Sequence, residues 1–354
     1  MEREEDKRLK ELRDAGAEIY SISRLNTMNQ CPYQAYLNYV KNIKGSDNVW
    51  ALLGGYLHDA LQKCIDTGCS EDIVLDSIQK ELDNLDIIGI DFPKDKNGGT
   101  VIRENWIANM TRFAKEFKTP VGNFETERLI LFKVRDGVYM QGYIDLIRHN
   151  EDGTIWIIDW KTSSEFKGEH LKEAGRQLCL YAMAKEAEGY TVSKVSWCML
   201  KYVDVSWQDK KGNTKHKISE WRKFGADMKS TVKKFLEDEG YDEMEVESYL
   251  YNMIVNNSFD QLPDVVKNRF TRMLYVQDYE LTDEVREECL QYINDTIDKY
   301  QTYGEDENNY QPCDIAKEPF FCASLCSFGA CGACKYYNEY REGFSQSKDD
   351  DDLF

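Results

Sequence analysis

Two aspartates and a lysine lie close together near the middle of this chain. Asp145 sits in Tyr143-Ile144-Asp145-Leu146-Ile147, a run of strand formers, and Asp159 and Lys161 sit at the end of the β-branched and aromatic run that begins at Ile155. Residues 149–153 between them are polar and contain glycine, so the spacing predicts a hairpin with one carboxylate on each strand. Asp159 and Lys161 are two residues apart, and on a strand their side chains leave the same face. Two carboxylates can hold Mg²⁺ or Mn²⁺, the ion polarises a phosphate, and a lysine beside it positions or deprotonates the attacking water. That is the chemistry of phosphodiester hydrolysis. A salt bridge between two strand ends is the bland alternative, and D-x-K alone does not separate the two.

The surroundings add specificity. Gly142-x-x-Asp145, then Asp159-x-Lys161-Thr162, then Gln177-x-x-x-Tyr181 on the next predicted helix, resemble the motifs of the RecB-like nucleases of the PD-(D/E)XK superfamily. Upstream, Gly54-Gly55-x-x-His58-x-x-Leu61-Gln62 is similar to that family's first motif, and the four occur in the family's order. The resemblance implies that His58, Asp145 and Asp159 bind Mg²⁺ or Mn²⁺, with the backbone carbonyl of Trp160 as a further ligand, and that Lys161 is the catalytic lysine. Gln177 and Tyr181, one helical turn apart, would support the site or contact the nucleic-acid strand. Without the resemblance, His58 reads as an interior histidine, and Gln177 and Tyr181 as a packed helix face.

The elements that must position these residues follow from apolar periodicity. A helix over residues 50–66 carries His58, with Leu52, Leu53, Leu57, Leu61 and Ile65 on its apolar face. Helices are expected at about residues 71–85 and 101–118, and in the second Trp106, Met110, Phe113 and Phe117 recur at core spacing. Residues 124–134 form the first strand, on which Glu125 is a candidate outer-sphere acid, and residues 192–205 form a strand that turns at residues 210–213. From about residue 218 to 302 the pattern is helical. The expected fold class is α/β: a restriction-endonuclease-like core, its mixed sheet flanked by helices, with a helical insertion and a C-terminal cysteine segment. The expected divisions are a charged N-terminal arm (1–19), the nuclease core (20–217), the insertion (218–305), the cysteine segment closing onto Cys31 (306–344) and an acidic tail (345–354). Ser23 is the expected cap of the helix that leads to Cys31.

With 42% hydrophobic and 12% aromatic residues over 354 positions, the chain is globular and can bury a sizeable core. It contains no run of eighteen apolar residues and starts with a charged stretch, so neither a membrane span nor a signal peptide is expected, and a cytoplasmic protein of a bacterial or phage-infected cell is. The net charge of −19 weighs against non-specific affinity for nucleic acid. Lys161, Lys167, Lys172 and Arg176, however, gather near the motifs and suggest a local basic channel.

Eleven cysteines without a secretion signal do not suggest a disulfide framework. Cys64, Cys69, Cys179, Cys198 and Cys289 are scattered as small buried residues would be, whereas Cys322, Cys326, Cys331 and Cys334 crowd into C-x3-C-x4-C-x2-C among glycines and small residues. Such spacing suits a metal or a cluster, and sequence does not separate Cys₄ zinc from Cys₄ iron–sulfur. The Cys31-Pro32 pair resembles the first ligand position of the iron–sulfur branch of the RecB-like nucleases, which includes AddB-type subunits and CRISPR adaptation nucleases. That resemblance implies a 4Fe–4S staple made by Cys31 and three of the C-terminal four; structural Zn²⁺ is the alternative, the spacing departs from the family's, and Cys313 stays a candidate. The implied function is a metal-dependent DNA nuclease, an exonuclease on single-stranded or resected ends in recombination, repair or phage replication. The alternatives are a CRISPR-type endonuclease or end trimmer, a non-catalytic DNA-end-binding subunit, and a zinc adaptor. No P-loop occurs, so unwinding would come from a helicase partner, which the SQSKDDDDLF ending could dock.

Overall fold

The computed structural model describes residues 7–68, 71–95, 97–329 and 331–351, with backbone alone for residue 71 and for 344–351. The acidic ending read as a docking peptide therefore lies outside the described side chains. Seven strands form one mixed sheet: β1 (Glu18–Tyr20), β2 (Asn123–Arg135), β3 (Val138–His149), β4 (Ile155–Lys161), β5 (Val192–Gln208), β6 (Thr214–Glu220) and β7 (Phe270–Tyr279). The helices are α1 (Lys7–Asp14), α2 (Ile22–Gln30), α3 (Pro32–Ala35), α4 (Val49–Thr67), α5 (Glu71–Ile88), α6 (Val101–Glu116), α7 (Gly168–Ala187), α8 (Phe224–Asp227), α9 (Lys229–Asp238), α10 (Glu243–Asn256), α11 (Asp264–Lys267), α12 (Asp283–Tyr303) and α13 (Lys335–Asp351). No described helix is long and apolar enough to cross a membrane.

The hairpin expected around the two aspartates forms, with β3 and β4 antiparallel in the register Leu146↔Ile158 to His149↔Ile155. Its turn is closed by Asn150, whose amide donates to the Thr154 carbonyl at 2.9 Å, and by Gly153 at φ 83°, where glycine carries no steric cost. Beyond Leu146 and Ile158 the strands stop pairing. Further back along β3, at Val138, Tyr139 and Met140, the three-residue β1 pairs in parallel, and along its full length β3 pairs antiparallel with β2. The same occurs at β5, which pairs with β4 over residues 192–199 and with β6 over residues 202–208. The short strand β4 thus ends in a fork between β1 and β6, and the sheet is open there.

Each face of the sheet is covered by its own apolar core. On one face Ile144, Ile147, Ile155 and Ile157 pack with Leu178 and Tyr181 of α7, Leu25 and Met28 of α2, and Ile293 and Ile297 of α12. On the other, Leu146, Ile158 and Trp160 pack with Leu57 and Leu61 of α4, Met110 and Phe113 of α6, and the small helices after β6. The alternation of Ile157 and Ile158 between the two cores reflects the two-residue period of a strand buried on both faces.

Three expectations change. Residues 18–20, placed in part in the charged N-terminal arm, form β1, too short for any periodicity to reveal. The helix cap is Ser21, whose Oγ accepts from the Arg24 amide at 3.2 Å, and Ser23 lies inside α2. The stretch expected to be helical from residue 218 contains the end of β6 and all of β7, and β7 pairs with β5 over residues 270–279. Its polar residues Arg272, Gln277 and Asp278 interrupt the apolar alternation that would mark a strand.

Candidate active site

The fork brings the motif residues together. Asp145 lies one residue past the last β3–β4 pair, and its Oδ2 accepts the Trp160 amide at 2.8 Å, so a side chain takes the place of the strand carbonyl that has splayed away. Asp145 and Asp159 are 7% and 2% exposed. From the α4 side, His58 Nδ1 reaches Asp145 Oδ1 at 3.4 Å, its ring edge-on to Trp160 at 5.8 Å. From the opposite face, Lys161 Nζ lies 2.6 Å from Asp159 Oδ2 and donates to Gln177 Oε1 at 3.1 Å. Gln177 Nε2 in turn donates to Tyr181 OH at 2.8 Å, one turn along α7. One helix from each layer therefore meets the end of β4.

Burial pushes the Asp159 carboxyl above the usual carboxylate range, with Lys161 opposing and Asp145 adding to the rise. Burial alone would depress His58, but its contact with Asp145 and the two carboxylate charges raise it overall. Burial alone would lower Lys161, but the charge and hydrogen bond of Asp159 together with the Asp145 charge raise it overall. Burial first, then the two aspartates, holds the Tyr181 phenol well above its ordinary range, so it is a neutral hydrogen-bonding group.

A hard divalent cation fits these donors. Asp159 is 2% exposed, and its Oδ2 is ion-paired with the Lys161 ammonium at 2.6 Å. Among the described residues no three His, Cys, Asp or Glu side chains converge as a complete cage.

The role of one residue near the site escaped the sequence reading, and that of another, Gly142, gains a physical reason. Glu127 falls opposite Asp145 in the β2–β3 ladder but drops out of pairing at φ 48°, a conformation costly for a non-glycine residue, and its charge acts on Tyr181. No sequence signal marks such a distortion. Gly142 lets Tyr181 approach: a Cβ there would stand 2.7 Å from the ring's Cε1. Glu125, in contrast, is held by His149 at 2.7 Å and Arg128 at 2.6 Å in a surface group and is no outer-sphere acid of the site.

The expected basic channel is not free charge. Lys167 pairs with Glu165, Lys172 and Arg176 pair with Glu288, and Lys161 pairs with Asp159. The cysteines sort by burial: Cys31, Cys322, Cys326 and Cys334 are buried, whereas Cys331 is exposed and donates to the Ser327 carbonyl at 3.3 Å. The Cys313 amide donates to Cys31 Sγ at 3.5 Å, and its own sulfur is 3.6 Å from that of Cys322. The two ends of the chain thus meet at these thiols. Burial pushes the Cys326 thiol up to about 11, although the amides of Phe328 and Gly329 work against the rise.

Paired aspartates, a lysine and a helical histidine thus meet at the open end of a mixed sheet. The sequence model of the PD-(D/E)XK nuclease superfamily matches residues 19–336, and the chain belongs to that superfamily. No curated protein matches the chain. It is a nuclease by family, and nucleic acid is its substrate class.

Proposed function

We propose that this chain is a Mg²⁺- or Mn²⁺-dependent deoxyribonuclease acting as an exonuclease on single-stranded or resected DNA ends. The observation that carries the catalytic reading is the buried Asp159 carboxylate, its Oδ2 held 2.6 Å from the Lys161 ammonium where β4 ends. Asp145 and Asp159, with His58 and the Trp160 carbonyl, would hold the ion, which when bound supplies Lewis-acid polarisation of the phosphate. The Trp160 amide fixes Asp145, and the Gln177–Tyr181 pair fixes the ammonium, so these groups need no reorganisation as charge develops on the phosphate. Lys161 is placed to orient a water or to offset that charge. The exonuclease reading follows from the resemblance to RecB-like enzymes, as do roles in recombination, repair or phage replication and a helicase partner. The test is degradation of end-labelled linear single-stranded DNA and of closed circular DNA with Mg²⁺ or Mn²⁺, native chain against Lys161→Ala. Loss of linear substrate only, absent in the variant, supports the proposal. Binding without cleavage by either would favour an end-binding subunit.

For the cysteines we propose a 4Fe–4S staple on Cys31, Cys322, Cys326 and Cys334, which are the buried members of the expected set. The Cys313 amide on Cys31 Sγ and the Cys313–Cys322 sulfur contact, which bring residues near 31 and near 320 together at these thiols, support it. Iron, sulfide and zinc analysis of the purified chain separates this from structural zinc. Cys331→Ser should keep the metal and Cys322→Ser should lose it.

A further inference from the structure

Next to the candidate active site, on the α6 face of the sheet, lies a cavity of about 420 Å³. One wall is the chain that leaves β4, since Thr162, Ser163 and Ser164 directly follow Lys161. Three extended residues span at most about 10 Å, so this wall begins within a nucleotide's reach of the lysine. The facing wall is aromatic. Trp50 and Trp106 both line the cavity, and Phe92 braces them, edge-on to Trp50 at 5.3 Å and tilted to Trp106 at 5.9 Å. Phe92 is itself covered by the Arg103 guanidinium, which is anchored to Asp86 by bonds of 2.7 and 2.8 Å. A wall braced in this way loses little freedom when a ring packs on it.

The polar groups differ in what they have left to give. Asn109 is fully committed, donating to Glu220 at 3.0 Å and accepting the Arg222 amide at 2.9 Å. The Asn105 carboxamide, half-buried one turn earlier on α6, makes no side-chain hydrogen bond among the described residues. Trp106 is only 7% exposed, yet its indole N–H has no acceptor. Lys201 stands beside Ser164, donating to its hydroxyl at 3.3 Å.

We propose that this cavity holds one unstacked nucleobase of the strand being cut, adjacent to the scissile phosphate. The inference rests on the nuclease reading above. A base is a flat heteroaromatic ring with donors and acceptors on its edge. Indole faces and an uncommitted carboxamide recognise that combination, and stacking tolerates any base. A paired base inside a duplex cannot enter, so the cavity selects single strands and frayed ends. It supplies a recognition element that does not depend on net positive charge, which this chain lacks at −19.

The test is fluorescence-polarisation binding of short, end-labelled single-stranded DNAs, each with one abasic position moved along the strand. The protein is full-length Lys161→Ala with Mg²⁺, so that the strand is not consumed. The expected result is a loss of affinity of about 5- to 150-fold at one position and little elsewhere. Adding Trp50→Ala or, with less disturbance of packing, Asn105→Ala should weaken binding of the intact strand and reduce the abasic penalty at that position. A flat scan, or a single-position penalty unchanged in both variants, overturns the proposal. Cleavage of the intact strand by the native chain is scored separately. Cleavage with a flat scan defeats the base site alone, binding without cleavage defeats the nuclease reading alone, and absence of binding defeats both.

Discussion

Replacing Gly142 by alanine tests how tightly the site is built. The new Cβ would lie 2.7 Å from Tyr181 Cε1 and 3.6 Å from Ile130 Cγ1, whereas carbon atoms in contact prefer about 3.5–4.0 Å. The ring must therefore retreat by about 1 Å, into a core where Tyr181 is 4% exposed. Forced repacking of this kind costs about 1–3 kcal/mol. The same retreat carries the phenol away from Gln177 Nε2, now at 2.8 Å, and losing that bond costs about 0.5–1.5 kcal/mol more. The combined destabilisation is about 1.5–4.5 kcal/mol, read as a lower denaturant midpoint at unchanged slope. Gln177 also receives the Lys161 ammonium, so the displacement reaches the end of β4, where a shift of about 1 Å can lower the cleavage rate about 100-fold. In a Tyr181→Ala background the ring is gone and Gly142→Ala should add less than about 0.5 kcal/mol. Equal costs in the two backgrounds, or a Gly142→Ala variant as stable and active as the native chain, would refute the reasoning.

Further outcomes follow from other contacts. Lys161→Ala should lower single-turnover cleavage by about 10²- to 10⁴-fold with unchanged far-UV circular dichroism. Asp145→Ala should lose about 1–3 kcal/mol of stability, because it leaves the Trp160 amide buried without an acceptor, whereas Asp145→Asn keeps an acceptor and most of that stability; urea titration of both variants decides. Gly329→Ala would set a Cβ 1.8 Å from the Cys322 backbone carbonyl, which no rotamer change can relieve, so metal content and thermal stability should fall together. The Glu288 carboxyl is depressed because the Arg176 and Lys172 charges and hydrogen bonds outweigh the effect of burial. A depressed carboxylate stabilises above its unfolded pKa, and that stability is lost as pH falls through the lower folded value. Arg176→Met should therefore cost about 1–3 kcal/mol near neutrality, shrinking in denaturant titrations toward pH 3.

Much of this fold was legible because long elements repeat their pattern. The hairpin was legible from strand formers on either side of a glycine-containing turn, the His58 helix from its apolar face, and the Gln177 helix from the motif it carries. What escaped had a local cause. β1 is three residues long, and the polar residues of β7 interrupt its apolar alternation. Glu127 became relevant through a backbone distortion that no composition announces. The lysines and Arg176 were read as a channel because sequence shows a charge but not its partner; Glu288, which pairs with Lys172 and Arg176, is more than a hundred residues away. Among the cysteines, spacing alone ranked Cys331 with its neighbours, and burial is what sets it apart.

The two cores lie on opposite faces of the sheet, and His58 belongs to the helix layer of one while Gln177 and Tyr181 belong to the layer of the other. The sheet end is the place where both report. A chain with only one layer docked presents half of the constellation: either the histidine without a steadied lysine, or the lysine without its histidine. On the proposed reading, competence would work as a coincidence signal for complete folding: cutting would require both layers closed on the fork, and damage to either layer would abolish it while the sheet still stands.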